Sequence, residues 1–516
     1  MVARLYRVFS LCLVTGLAAL SSDMSLMRAS EAPPLLGEAA VVSHRPEAAP
    51  RRSAVCFSSR WIHPVNSNDP RDTFAVASAF HATDFVWIYT LDAQAVTRMK
   101  GYGGHVFLAI NSLVPDAPGT NERLRGRILD LEGNRVTAPW MRGWQGSYWG
   151  CANSPEYRVS YLAYARKALD AGASGLQMDD PPMNLAAVKW GGCFCPHCLQ
   201  GFRSYLQEHS EPADWRSWDI QQLADFDYRA YLRDRGAPVG DLFAKYAGGR
   251  LKELFEAFQQ ESVRAFYQDA RAAIDAHAGR HVIFASNNYA GRWQFPYDLF
   301  EIGMAEIPER DATPNILYAR LAEAGQRGKA QLFTLVPKTV DGSEVRLTRQ
   351  VIATAYACGG HLIVPWDVYT GSNTPRYFGE PRAYADLYQF AREQAALLDD
   401  YEDAAFLLSG VRDERYPADA PWAAAAARDV AVFARAKPRD PLAPVAVHVV
   451  DWRAESQPFT LELATRRFAR QGSLRVELLR PGSSPATITG SDNGGRTSIE
   501  IPAVTPWGIL RVSAQP

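Results

Sequence analysis

The chain has 516 residues, enough for two or three domains with a large buried core. Its 55 Lys and Arg against 56 Asp and Glu leave a formal charge of −1, which argues against a polyanionic partner such as nucleic acid. Aromatic residues make up 11% of the chain and include 13 Trp; such rings either fill cores or stack on the apolar faces of sugars.

The N-terminus reads as an export signal. MVARLYR is a basic start and VFSLCLVTGLAALS an apolar stretch too short and isolated for a mature span, with cleavage after Ser21 or Ala32. Residues 1–32 are therefore assigned as a signal peptide and the product is expected to be secreted or periplasmic; a single-pass anchor is the alternative. No later segment is apolar for long enough to cross a membrane. Residues 33–52, rich in Ala, Pro and Glu, read as a linker.

From 53 to about 400, short apolar runs alternate with helical patterns. Eight candidate strands begin at Ala54 (AVCFSS), Asp84 (DFVWIYT), His105 (HVFLAIN), Ser174 (SGLQMDD), His281 (HVIFASNN), Ile302 (IGMAEI), Ala330 (AQLFTLV) and His361 (HLIVPWD). Eight strands with intervening helices suit an α/β fold of the (β/α)8 barrel type. A doubly wound open sheet is the alternative, but the first strand lacks a G-x-G-x-x-G turn. The stretch from about 202 to 250 is long for one connection and is expected to form a helical insertion. After 401, runs such as VAVFARA, VAVHVVDW, FTLELA and LRVELL, separated by Gly, Pro, Ser and Asp, predict an antiparallel β-sandwich over 401–516.

Beyond the export signal the chain holds six cysteines. Cys193, Cys195 and Cys198 form a C-x-C-x-x-C cluster, a spacing that brings three thiolates within reach of one tetrahedral ion. Cys151 is a candidate fourth ligand and His197 a substitute, giving a closed structural zinc site; a disulfide with the other thiols free is the alternative. No organic cofactor is indicated.

In such a barrel, functional groups sit where strands end. Those ends carry Trp61, Trp87, Asn111, Asp179, Asp180, Asn287, Asn288, Glu306, Lys338, Trp366, Asp367 and Tyr369. Acids, amides and rings on one rim are what a carbohydrate site requires. Glycoside hydrolysis uses two carboxyl groups across the scissile bond, one protonated and one ionised. Asp180 and Glu306 are the preferred pair, with Asp179 beside them and Asp367 in reserve. Trp61, Trp87 and Trp366 would line sugar subsites, helped by Asn111, Asn287, Asn288, Lys338 and Tyr369. Asp179–Asp180 could instead cap the turn before Pro181–Pro182.

The segments YWGCANSPEYR, GASGLQMDD and CFCPHCLQGFRSYL together resemble the N-terminal barrel of glycoside hydrolase family 42 β-galactosidases, most strongly from Trp149 to Leu206. The resemblance implies that Cys151 joins Cys193, Cys195 and Cys198 around structural zinc. It also puts Asp180 in the place of the family's acid/base glutamate. The family's nucleophile lies on the seventh strand, yet the matching QLFTLVPK contains no acid, so the second carboxylate is expected from Glu306 or Asp367. Other barrel glycosidases pair acids on strands four and six with the strand-four Asp as nucleophile, which would reverse the two roles. The expected partner is a carbohydrate substrate. A non-catalytic carbohydrate-binding protein on a decayed hydrolase barrel is the rival reading. Many members of that family form homo-oligomers, while the sequence itself marks no interface.

Overall fold

The computed structural model describes residues 33–59, 62, 72–114, 124–335, 342–367, 380–417, 419–424, 429–440 and 442–515. The expected signal peptide lies outside them. All eight expected strands are present: β1 (Cys56–Ser59), β2 (Asp84–Ile88), β3 (Val106–Ile110), β4 (Gly175–Met178), β5 (Ile283–Ser286), β6 (Ile302–Glu306) and β7 (Ala330–Thr334). The eighth is interrupted at Ile363 into β8 (His361–Leu362) and β9 (Val364–Asp367). Neighbours pair in parallel in the order β8-β7-β6-β5-β4-β3-β2-β1-β9. Since β8 and β9 are halves of one run of chain, the two edges of the sheet meet and the barrel closes.

Successive side chains of a strand face opposite ways. One set fills the barrel: Phe107 and Ala109 of β3, Ile283 and Ala285 of β5, Ile302 and Met304 of β6, Ala330 and Leu332 of β7. The other, including Val106, Leu108, Leu176 and Met178, meets the surrounding helices. Burial on both faces explains why these strands read as continuous apolar runs. The helix Pro155–Asp170 shows how local sequence fixes the outer layer. The Ser154 side chain caps it by accepting the Tyr157 N–H, Pro155 occupies the first turn, and Tyr157, Tyr161, Ala165 and Ala168 form its buried stripe.

Between β4 and β5 the chain is largely helical. Helices Pro196–His209, Pro212–Ser217 and Tyr228–Asp234 lie beside the 30-residue helix Gly249–Ala278. They share a separate aromatic core in which Phe194 stacks on Phe255 at 5.4 Å and Phe202 meets Tyr228 at 4.9 Å between ring centroids.

Past the barrel, ten strands build two antiparallel sheets. They are β10 (Glu402–Leu407), β11 (Trp422–Ala424), β12 (Val430–Ala436), β13 (Val445–Asp451), β14 (Phe459–Ala464), β15 (Ser473–Leu479), β16 (Ala486–Ile488), β17 (Ser491–Asn493), β18 (Arg496–Ile501) and β19 (Trp507–Gln515). One sheet runs β10-β12-β13-β19-β15-β16 and the other β11-β14-β18-β17, with an apolar core between them. The sandwich is seated firmly on the barrel. Trp507, fully buried, lies 4.9 Å from Phe390 and 5.9 Å from Tyr356 between ring centroids. The buried Arg435 guanidinium donates to the carbonyls of Cys358 at 2.9 Å and Tyr401 at 2.6 Å. Gly359 leaves room for it, since a Cβ there would stand 2.6 Å from that guanidinium and the backbone is left-handed (φ 81°). Truncation of Trp507 to Ala is expected to cost ~3–5 kcal/mol, read as a fall in thermal midpoint, because ring contacts to both units are lost at once.

Residues 33–52, expected to be a linker, are folded instead. Leu36–Ala39 is a helical turn whose Leu36 is buried in the sandwich core. Glu38 pairs with Arg470 at 2.7 Å, Val41 bridges to Asp403, and Arg52 pairs with Glu402. The physical reason is the apolar Leu35–Leu36 pair, which outweighs the disorder-prone composition around it.

Candidate active site

Continuing the inward-facing positions by one step past the apolar layers reaches Asn111 just after β3, Asn287 just after β5, Glu306 on β6 and Thr334 on β7. On β4, Gln177 is in register with the inward Ala109 and Ala285, so the next inward position is Asp179. The C-terminal mouth of the barrel thus carries a polar ring on an apolar plug. Backbone strain gathers at the same end. Five of the nine non-glycine residues with positive φ among the described residues lie near the ends of β2, β4 or β5 or in the segments after them: Trp87 near the end of β2, Asp180, Met183 and Cys193 after β4, and Ala290 after β5.

The half-buried Asp179 is the best-held acid. Its carboxylate accepts the Tyr89 hydroxyl, the Asn287 amide at 3.4 Å and the backbone N–H of Asp180 at 3.1 Å. The same Asn287 nitrogen donates to Glu306 Oε2, also at 3.4 Å. The two acid oxygens are therefore separated by no more than twice that distance. Asp180 stands outside this bridged pair. Among the described residues no donor reaches its carboxyl, and its left-handed backbone (φ 56°) turns the chain into Pro181–Pro182.

Three acids in one place set each other's protonation. Burial first, then the charges of Asp179 and Glu306, push Asp180 well above the usual carboxylate range. Burial and the Asp179 charge raise Glu306 to about 7, opposed by the Asn287 donor. Burial raises Asp179 too, but the donors from Tyr89, Asn287 and Trp87 hold it back. Charge therefore settles most readily on Asp179. A folded state that binds protons more tightly than the unfolded chain loses stability as pH rises between the two pKa values. For Glu306 that window runs from about 4.5 to about 7, and the loss is at most about 3 kcal/mol. Replacing Asp180 by Asn removes one like charge, so it is expected to raise the thermal midpoint more at pH 8 than at pH 5. An equal shift at both pH values would contradict the charge crowding.

Other expected site residues divide. Asn111 is half-buried and its Oδ1 accepts the Leu113 N–H at 2.9 Å, which shapes the turn after β3. Trp87 does not offer a face to a sugar: it is 5% exposed, its ring belongs to the barrel interior, and its indole N–H points to the Tyr89 hydroxyl at 3.4 Å. A left-handed residue at Trp87 (φ 58°) and a register shift in β2 account for its inward turn. Asn288 is fully buried and exchanges hydrogen bonds with Gln331 at 2.7 and 3.1 Å, so it is structural. Trp61, Lys338 and Tyr369 lie outside the described residues, as do the side chains of Trp366 and Asp367. Tyr297, not singled out by its sequence, sits near enough to Asp180 for that charge, after burial, to help raise its hydroxyl to about 12. Tyr289 beside it is 53% exposed.

In the segments after β3 and β4, Cys151, Cys195 and Cys198 are buried and their sulfurs lie within 4.8 Å of one another. Cys151 is 3.5 Å from Cys195 and 3.4 Å from Cys198. Amide N–H groups of Asn153 and Asn184 point at these sulfurs from 3.4 to 3.9 Å. Cys193, expected as the fourth member, is buried nearby, but its thiol donates to the Asn184 carbonyl at 3.3 Å. His197 faces Glu156 at 3.5 Å and is not part of the group. All six described cysteines are free thiols, so no disulfide is formed among them.

No family model matches the chain. It is 27% identical over 298 residues to an alpha-agarase of Alteromonas agarilytica, a match covering 53% of this chain and 21% of that protein. It is 24% identical over 297 residues to an alpha-agarase of Thalassotalea agarivorans, covering 53% of this chain and 20% of that one. The match thus spans about a fifth of the length of these curated relatives. Among solved structures, the native debranching enzyme of Nostoc punctiforme aligns with a TM-score of 0.45 and 11% identity over 91% of this chain and 100% of its own. A GH27 β-L-arabinopyranosidase from Geobacillus stearothermophilus aligns with a TM-score of 0.43 and 8% identity over 90% and 97%. The strand order, not these distant likenesses, establishes the barrel. No helix among the described residues is long and apolar enough to cross a membrane.

Proposed function

We propose that the chain is a glycoside hydrolase acting on a polysaccharide of the agar type, with Asp179 and Glu306 as its two carboxyl groups. The observation that carries this reading is the single Asn287 amide placed against both acids at the barrel mouth. Asp179, supplied with three donors, is the ionised member and attacks the anomeric carbon or activates water. Glu306, buried and carrying its proton near neutrality, donates it to the leaving oxygen. Water is added across the bond: its hydroxyl goes to the anomeric carbon and a proton to the departing sugar. The alpha-agarase relatives support both the reaction class and agarose as the first substrate to try. Export through residues 1–32 fits a polymer too large to enter a cell.

A structural zinc held by Cys151, Cys195 and Cys198, with Cys193 as fourth ligand, completes the proposal. Three buried sulfurs this close, faced by amide N–H groups, suit a thiolate-bound ion. Such an ion would tie the loops after β3 and β4 together and take no part in the chemistry. The function is tested by incubating purified protein with agarose, other galactans, starch and cellulose and measuring new reducing ends. Release from agarose is expected; release from none of them would remove the hydrolase reading.

A further inference from the structure

We propose that Asn287 is a positioning residue: one amide shared by both acids sets their spacing and offsets the repulsion between them. The inference rests on the reading of those two acids as the working pair. A carboxamide nitrogen carries two hydrogens and can serve two acceptors at once. Here it stands 3.4 Å from Asp179 Oδ1 and 3.4 Å from Glu306 Oε2. Among the described residues the other end of the amide has no structural anchor, since Asn287 Oδ1 is buried and no donor there reaches it. The neighbouring Asn288 is the contrast: its amide is fully engaged with Gln331 and the Arg292 carbonyl. Among the described residues the acids fix the orientation of Asn287, and leaving Oδ1 unmade carries a cost that a purely structural amide would avoid.

The sharing is unequal in effect. Asp179 also accepts the Tyr89 hydroxyl and the Asp180 N–H, whereas among the described residues Glu306 accepts Asn287 only. Each donor favours the charged form of its acceptor. Among the described residues the titratable groups near these acids are Tyr89 after β2, Asp180 after β4, Tyr161 on the helix behind β4 and Tyr297 after β5. Of these only Asp180 is an acid, and it adds negative charge without a donor. Removing Asn287 therefore leaves two acids that repel each other and are both harder to ionise, with Glu306 losing its donor.

The test compares Asn287→Ala and Asn287→Ser with the wild type on agarose. For Ala, kcat is expected to fall by roughly 10- to 100-fold with KM little changed, because a positioning group is lost while substrate contacts remain. Both limbs of the pH profile are expected to move to higher pH by about half a unit or more. Ser, a shorter donor, should restore part of the shift. A merely structural asparagine would lower the thermal midpoint and leave both limbs in place, which would overturn the proposal. A second arm needs no substrate: the loss of thermal stability between pH 5 and pH 8 should be steeper in Asn287→Ala than in wild type, and an unchanged slope would overturn the link between the acids. If the wild type cleaves nothing, the hydrolase reading fails by itself, and this slope still reports whether Asn287 joins the two carboxyls.

Discussion

Replacing Asp179 by Asn is expected to lower kcat/KM by roughly 10⁴-fold or more, the loss of an ionised group that acts at the reacting carbon. Asn keeps the size of the side chain and can still face Tyr89 and Asn287, so folding should survive. What disappears is the charge that three donors are arranged to hold. Glu306→Gln is expected to cost ~10²–10⁴, the span of general acid catalysis, and less on a substrate with a good leaving group that needs no proton. Added azide should return part of the activity of Asp179→Ala, because a small anion fits where the carboxylate was, and should do nothing for Asp180→Ala. Asp180→Asn itself is expected to stay within about tenfold of wild type, since its carboxyl lies outside the bridged pair. An Asp180 variant as inactive as the Asp179 variant would restore the assignment first suggested by sequence order.

The second large effect is expected at the cysteine group. Changing Cys198 to Ser, or stripping the ion with a strong chelator, should lower the thermal midpoint by about 10 °C or more, because metal binding energy in a thiolate site is folding energy. Cys151 follows β3, Cys195 precedes the helix Pro196–His209 and Cys198 lies in its first turn. A shared ion would therefore lock the segment after β3 to the insertion after β4. One equivalent of zinc per chain by elemental analysis supports this. A folded, metal-free protein with four reactive thiols and an unchanged midpoint after chelation would remove it.

The strands were legible because burial on both faces leaves uninterrupted apolar runs, as in HVFLAIN and AQLFTLV. The sandwich was legible for the opposite reason, since FTLELA alternates with one face buried. The C-x-C-x-x-C spacing marks a cluster, but not that Cys193 turns to the Asn184 carbonyl. Selecting among acids was harder. Asp179 and Asp180, like Asn287 and Asn288, are adjacent and chemically alike, and only the inward parity of β4 and β5 tells them apart. That parity was available in the alternation of each run, with Phe107 and Ala109 leading to Asn111 and Ile302 and Met304 to Glu306. Trp87 defeats the same rule through its local left-handed backbone, which no composition or spacing reveals. Leu36 escaped notice because two leucines in an Ala- and Pro-rich stretch give no periodicity, although they are enough to dock it on the sandwich.

The central claim is that Asp179 and Glu306 together break a glycosidic bond. It is tested most directly by measuring reducing ends released from agarose by wild type, Asp179→Asn and Glu306→Gln side by side at matched, folded concentrations. The account predicts steady release by the wild type, none detectable from Asp179→Asn, and a strongly reduced rate from Glu306→Gln. Release by both variants at the wild-type rate would contradict it.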